Sequence, residues 1–146
     1  MDIPESISNS AVDNHQIKKG TIIKLKYRFS SGNDRFKFFV VLNKISRPDP
    51  LVCVITTSQI SFYLKNAQFN ADVLTIAPNA VPCFVKDTVV DCRQIYRLSM
   101  VSIRDSFSKG DMTFEGDLPE TLVEKIDAVI RGSRLISPLD KKQILF

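Results

Sequence analysis

Lys24, Lys26 and Arg28 alternate with Ile23, Leu25, Tyr27 and Phe29. On an extended strand this places the cations on one face and the apolar side chains on the other. After a loop at Ser30-Ser31-Gly32-Asn33-Asp34, the run Arg35-Phe36-Lys37-Phe38 repeats the alternation. With Ser30–Asn33 as the loop, Phe29 faces Asp34, Tyr27 faces Phe36 and Leu25 faces Phe38. Arg28 then lies opposite Arg35, and Lys26 opposite Lys37. Like charges in that arrangement repel by about 0.8 kcal/mol per pair at ~5 Å in water. A bound polyanion would remove the penalty, and long side chains splaying into solvent would also relieve it. Tyr27, Phe36 and Phe38 read either as core or as platforms on which bases stack.

The net charge of +4 is modest, but its distribution is uneven. Lys18, Lys19, Lys24, Lys26, Arg28, Arg35, Lys37, Lys44, Arg47 and Lys65 fall in a stretch with only Asp34 and Asp49 as acids. Asp111, Glu115, Asp117, Glu120, Glu124 and Asp127 gather later. A basic face and a comparatively acidic C-terminal segment follow, and phosphate is the partner such a face attracts. Other chemistries find little support. The one histidine, His15, lies in the polar N-terminal arm, which leaves no plausible Cys–His or Ser–His pair. Cys53, Cys83 and Cys92 are odd in number and show no CxxC spacing, which argues for buried thiols in a reducing, cytoplasmic setting. No glycine-rich phosphate loop or HExxH motif occurs, so neither a cofactor nor a metal is expected. No run of ~18 apolar residues occurs either, so no membrane partner is expected.

The elements that must position these residues are mostly strands. Residues 1–17 carry no periodicity and read as a flexible arm, leaving 18–146 as one domain. Phe39-Val40-Val41-Leu42 and Leu51-Val52-Cys53-Val54-Ile55-Thr56-Thr57 read as buried strands on either side of an Arg47-Pro48-Asp49-Pro50 turn. Shorter strands are expected near Phe69–Ile76, Pro82–Phe84, Thr88–Ile95 and Ser99–Ile103. Leu118, Leu122, Ile126, Val129 and Ile130 change to helical spacing, with Pro119 and Glu120 suited to a first turn. The expected class is α+β and β-dominated: an antiparallel barrel with a C-terminal amphipathic helix.

Five segments, in this order, resemble the MazF/PemK family of toxin endoribonucleases. Lys18-Lys19-Gly20-Thr21-Ile22-Ile23 resembles the family's opening strand, and Phe38-Phe39-Val40-Val41-Leu42-Asn43 its second. Val52-Cys53-Val54-Ile55-Thr56-Thr57-Ser58 resembles the third, and Lys86-Asp87-Thr88-Val89-Val90-Asp91-Cys92-Arg93-Gln94-Ile95 a later one. Gly116–Ile130 resembles the closing helix. The resemblance implies an SH3-like barrel, a homodimer, a cognate antitoxin and metal-independent cleavage of single-stranded RNA. In that chemistry the ribose 2′-OH attacks the adjacent phosphorus, assisted by a base, an acid and positive charge on the phosphorane.

Carried onto this sequence, the resemblance puts Arg35, Thr56, Asp91 and Arg93 around the scissile phosphate. Lys24, Lys26, Arg28, Lys37 and Thr57 would then bind the flanking RNA. Counting back from Asn43, the family's Arg-Pro pair is replaced by Phe36-Lys37, and Arg35 lies one residue earlier. A module that binds RNA or a protein through the same groove without cleaving is the alternative. Asp91 and Arg93, two apart on a strand, share a face. As base and phosphate ligand they would be catalytic, and as a surface ion pair they would be structural.

Overall fold

In the computed structural model, residues 17–28, 32–43, 50–58 and 71–145 are described. The arm through Gln16 with His15, the Arg47-Pro48-Asp49 turn and the first residues of the Phe69–Ile76 segment lie outside them. Strands β1 (Thr21–Arg28), β2 (Asp34–Val41), β3 (Leu51–Thr57), β4 (Val73–Ile76) and β5 (Thr88–Leu98) come first. Helix α1 (Met100–Ser108), β6 (Met112–Asp117), α2 (Glu120–Gly132) and α3 (Pro138–Leu145) follow.

The strands form one antiparallel sheet in the order β4-β5-β3-β2-β1-β6. The sheet stays open, which corrects the expected closed barrel. Its edges are β4, only four residues long, and β6, whose pairing with β1 slips by a residue between Ile22 and Ile23. A short strand and a bulge are two ordinary ways of blunting an edge without closing the sheet.

Apolar clusters cover both faces at one end. The first face carries Ile22, Val40, Val52, Val54 and Val90, packed against Ile126 and Ile130 of α2 and Ile144 of α3. The second carries Ile23, Phe39, Val41, Leu51 and Cys53, with Ile103 of α1 and Ile17. Burial on both faces explains why the middle of β3 is a continuous apolar run instead of an alternation. Where β1 enters the sheet, Gly20 adopts φ +100°, and a Cβ there would lie 3.0 Å from Val123 Cγ2 of α2. Nearby, Lys19 Nζ donates to the Ile144 carbonyl (2.7 Å) and pairs with Asp127 Oδ1 (2.8 Å). A cation of the basic stretch is thereby engaged in holding α2 and α3 to the sheet.

Three further expectations are corrected. Ser99–Ile103 is not a strand: Ser99 caps α1, its hydroxyl accepting from the Ser102 N–H at 3.1 Å. Capping by a serine directly after the strand end starts a helix despite the β-branched residues that follow. Pro82–Phe84 is a turn, in which the Phe84 N–H donates to the Val81 carbonyl at 2.9 Å. The third correction is the register of the first hairpin. Arg28 faces Asp34, Tyr27 faces Arg35, Lys26 faces Phe36 and Leu25 faces Lys37. The one-residue slip replaces the expected Arg28/Arg35 and Lys26/Lys37 repulsions by an Arg28–Asp34 ion pair at 2.9 Å. It also pairs Ile22 with Val40 and Ile23 with Phe39 at the covered end.

Candidate functional site

Hydrogen bonding between β1 and β2 continues to Arg28 and Asp34. Between β2 and β3 it stops at Phe39 and Ile55, while β3 stays paired with β5 through Thr57 and Val89. The first half of β2 therefore leaves the last residues of β3. An open cleft of about 210 Å³ lies between them.

Phe36, Lys37 and Phe38 line this cleft from β2, Thr56, Thr57 and Ser58 from β3, and Cys83, Phe84, Val85, Lys86 and Thr88 from the segment leading into β5. The lining residues include two lysines, three threonines and one serine and no acidic residue, and the Thr88 hydroxyl donates to the Lys86 carbonyl at 3.0 Å. By alternation Lys37 and Thr57 project from the second face of the sheet, and Phe36, Phe38 and Thr56 from the first. Thr56 is buried, 3% exposed, and forms part of the floor. Phe38 meets Phe84 edge to face at 5.3 Å, which fixes the loop against β2. Lys24 Nζ lies 5.8 Å from the ring centroids of both Phe36 and Phe38. Burial, and to a lesser degree neighbouring Arg35, lowers the pKa of Lys37 from its ordinary value. Burial and then the Glu115 charge raise that of Cys83, so its thiol is a poor nucleophile.

Alternation of side chains divides the residues that the sequence grouped together. Thr56 pairs with Val90 and points to the first face, whereas Ile55 pairs with Asp91 and shares the second face with it. There Asp91 accepts from Arg93 Nε at 2.9 Å, from Nη2 at 2.7 Å and from the Arg93 backbone N–H at 3.0 Å. A fork of this kind engages both carboxylate oxygens with one guanidinium. Around it, Tyr27, Phe39 and Tyr96 pack edge to face with centroids 5.5–5.8 Å apart. Burial, then the Asp91 charge, raises the Tyr96 pKa.

The sequence matches no family model and no curated protein.

Of the four residues assigned to the scissile phosphate, only Thr56 lines the cleft. Arg35 is exposed opposite Tyr27, and Asp91 and Arg93 are engaged with each other beyond β3. Of the residues assigned to RNA binding, Lys37 and Thr57 line the cleft. Lys24 stands over its aromatic rim, and Lys26 is exposed directly across from Phe36. Arg28 is at the hairpin tip, forked to Asp34. The sequence reading missed Lys86 and Val85 as site residues. Lys86 was within reach, because it opens the same motif that supplied Asp91 and Arg93. Among the described residues, no group of three or more His, Cys, Asp or Glu side chains is placed to hold a metal. No helix among them is long and apolar enough to cross a membrane.

Proposed function

We propose that this chain is a MazF/PemK-like module that binds single-stranded RNA in the cleft between β2 and β3. One observation carries the reading: Lys37, Lys86 and the Thr56-Thr57-Ser58 run all border one cleft, whose lining residues include no acid. Ammonium groups attract phosphate and hydroxyls donate to its oxygens, while Glu115, whose charge reaches Cys83, stands outside the lining. With the reading come an SH3-like relationship, a homodimer, a cognate antitoxin as protein partner and a cytoplasmic setting.

Cleavage is the second reading, favoured by Thr56, the hydroxyl that the resemblance assigns to catalysis, lying in the same cleft as Lys37. There the 2′-OH would give its proton to water and attack phosphorus as the bond to the 5′-oxygen breaks. That oxygen would take a proton from a lysine ammonium, while the other lysine bears on the developing negative charge. Phe36 stands where the family has its arginine and supplies neither a proton nor a charge, so binding is the primary function.

Titrating a labelled single-stranded RNA against the full chain at several salt concentrations tests the proposal. Three lysine–phosphate contacts, from Lys24, Lys37 and Lys86, give a log–log slope of about −2. Affinity that ignores salt, or is unchanged in a Lys37→Ala/Lys86→Ala double variant, would refute it. The same mixtures in EDTA decide the second reading through the presence or absence of 2′,3′-cyclic phosphate ends.

A further inference from the structure

Three aromatic residues of the first hairpin were equivalent candidates for stacking, and their surroundings now separate them. Tyr27 is locked edge to face against Phe39 and Tyr96 in the second apolar cluster. Phe38 is held by Phe84 against the first. Phe36 alone of the three keeps half its surface, 51%, exposed, and it does so inside the cleft. Covering a whole ring is worth roughly 1.5–3 kcal/mol, so an occupant of the cleft would gain part of that from the exposed half of Phe36. The charges around it are cations apart from Asp34, two residues back on the same face and forked to Arg28. Lys24 Nζ lies 5.8 Å from the ring centroid and Lys26 is directly across in register, while Lys37 and Lys86 line the same cleft. Val85, 67% exposed, adds a second apolar surface to the lining. At about 210 Å³ the cleft is smaller than the ~300–1,000 Å³ of pockets for drug-sized ligands and suits one planar group.

We infer that Phe36 is a stacking platform for one unpaired RNA base, with the phosphates on either side of that base held by the surrounding lysines. The inference rests on the RNA-binding reading and adds to it which part of the nucleotide the cleft recognises. An aromatic face accepts any base, so the site favours unpaired over paired RNA without reading sequence. A lipid surface or an acidic peptide would satisfy the cations but would place no planar ring on Phe36.

The test compares a fluorescently labelled uridine octamer with an abasic ribose-phosphate octamer of equal charge, at one salt concentration, by anisotropy. Stacking is worth ~1–3 kcal/mol per base, so the chain should prefer the uridine octamer by about 5- to 150-fold. Phe36→Leu should abolish that preference while leaving the abasic affinity and the salt slope intact, and Phe36→Trp should retain it. Phe36 is exposed, so both variants should match the parent in urea denaturation. Equal affinity of the parent chain for the two octamers, with a normal salt slope, overturns the stacking inference and leaves RNA binding standing. Loss of affinity for both octamers in Phe36→Leu overturns it as well. Binding of neither octamer by the parent chain overturns both claims.

Discussion

The same strands behave differently at their two ends. Where β1 meets β2 under the helices, Ile22, Ile23, Val40 and Val41 are fully buried, so both faces of the sheet are apolar. Five residues further along the same pair, Lys26, Arg28, Asp34, Arg35 and Phe36 are exposed, and β3 has parted from β2. One end thus supplies cohesion, and the other supplies charged and aromatic groups with one side open to water. The difference teaches that stability and binding reside in separate residue sets here, so each can be perturbed with the other left in place.

The largest effect should come from the covered end. Ile126 of α2 is completely buried in the first cluster, and Ile126→Ala should destabilise the chain by about 2–5 kcal/mol, read as a lower urea midpoint. Under conditions where the variant remains folded, its RNA affinity should match the parent's. A fall in affinity with the fold intact would break the separation of the two ends.

Asp91 and Arg93 test where the boundary runs, because they are polar residues that act with the covered end. Asp91→Ala leaves a guanidinium, 26% exposed, without its forked partner. The expected loss is about 2–3 kcal/mol, short of the ~3–5 kcal/mol of a fully buried pair because water still reaches Arg93. RNA affinity should stay the same. A gain in affinity would show that the freed guanidinium reaches the bound phosphates, and would return Arg93 to the site.

This boundary also marks how much the sequence disclosed. β1, β2, β3, β5 and α2 were legible because each carries a sustained period of two, a continuous apolar run or helical spacing. By contrast, α1 was read as strand because Val101 and Ile103 outweigh a single capping serine in a propensity argument. β6 contains Gly116 and two acids, and α3 buries only Ile144 and Leu145 amid charges, so neither shows a clear pattern. Alternation assigns side chains to faces but does not say which strands meet, which is why an open sheet and a barrel could not be told apart. At the site, Thr56, Thr57 and Lys37 were legible from their motifs. Phe36 was a candidate only alongside Tyr27 and Phe38, since a half-exposed aromatic and a core aromatic cannot be told apart by alternation.

A smaller effect separates Lys37 from an ordinary surface cation. Its pKa is lowered by burial and by Arg35, so it loses its proton at a lower pH than a free lysine would. Above that point it no longer attracts phosphate. RNA affinity should therefore decline at a lower pH in the parent chain than in Lys37→Arg, whose guanidinium stays charged. Coincident pH profiles would place Lys37 outside the bound phosphate's reach.

The smallest effect is at the hairpin tip, and it decides the register. In the observed pairing Arg28 faces Asp34, whose carboxyl pKa is lowered chiefly by the hydrogen bond from Arg28. In the pairing offset by one residue, Arg28 would face Arg35 and Asp34 would lack this donor. Because folding depresses the Asp34 pKa, its contribution to stability is present above the unfolded value and fades as pH falls through the folded one. Both side chains are well exposed, so Arg28→Ala should leave the urea midpoint at neutral pH unchanged. The informative signal is the Asp34 carboxyl itself, followed by NMR through an acid titration: in Arg28→Ala its midpoint should rise toward that of an ordinary aspartate. An unmoved midpoint would favour the offset register, in which Phe36 faces Tyr27 across the hairpin and turns away from the cleft.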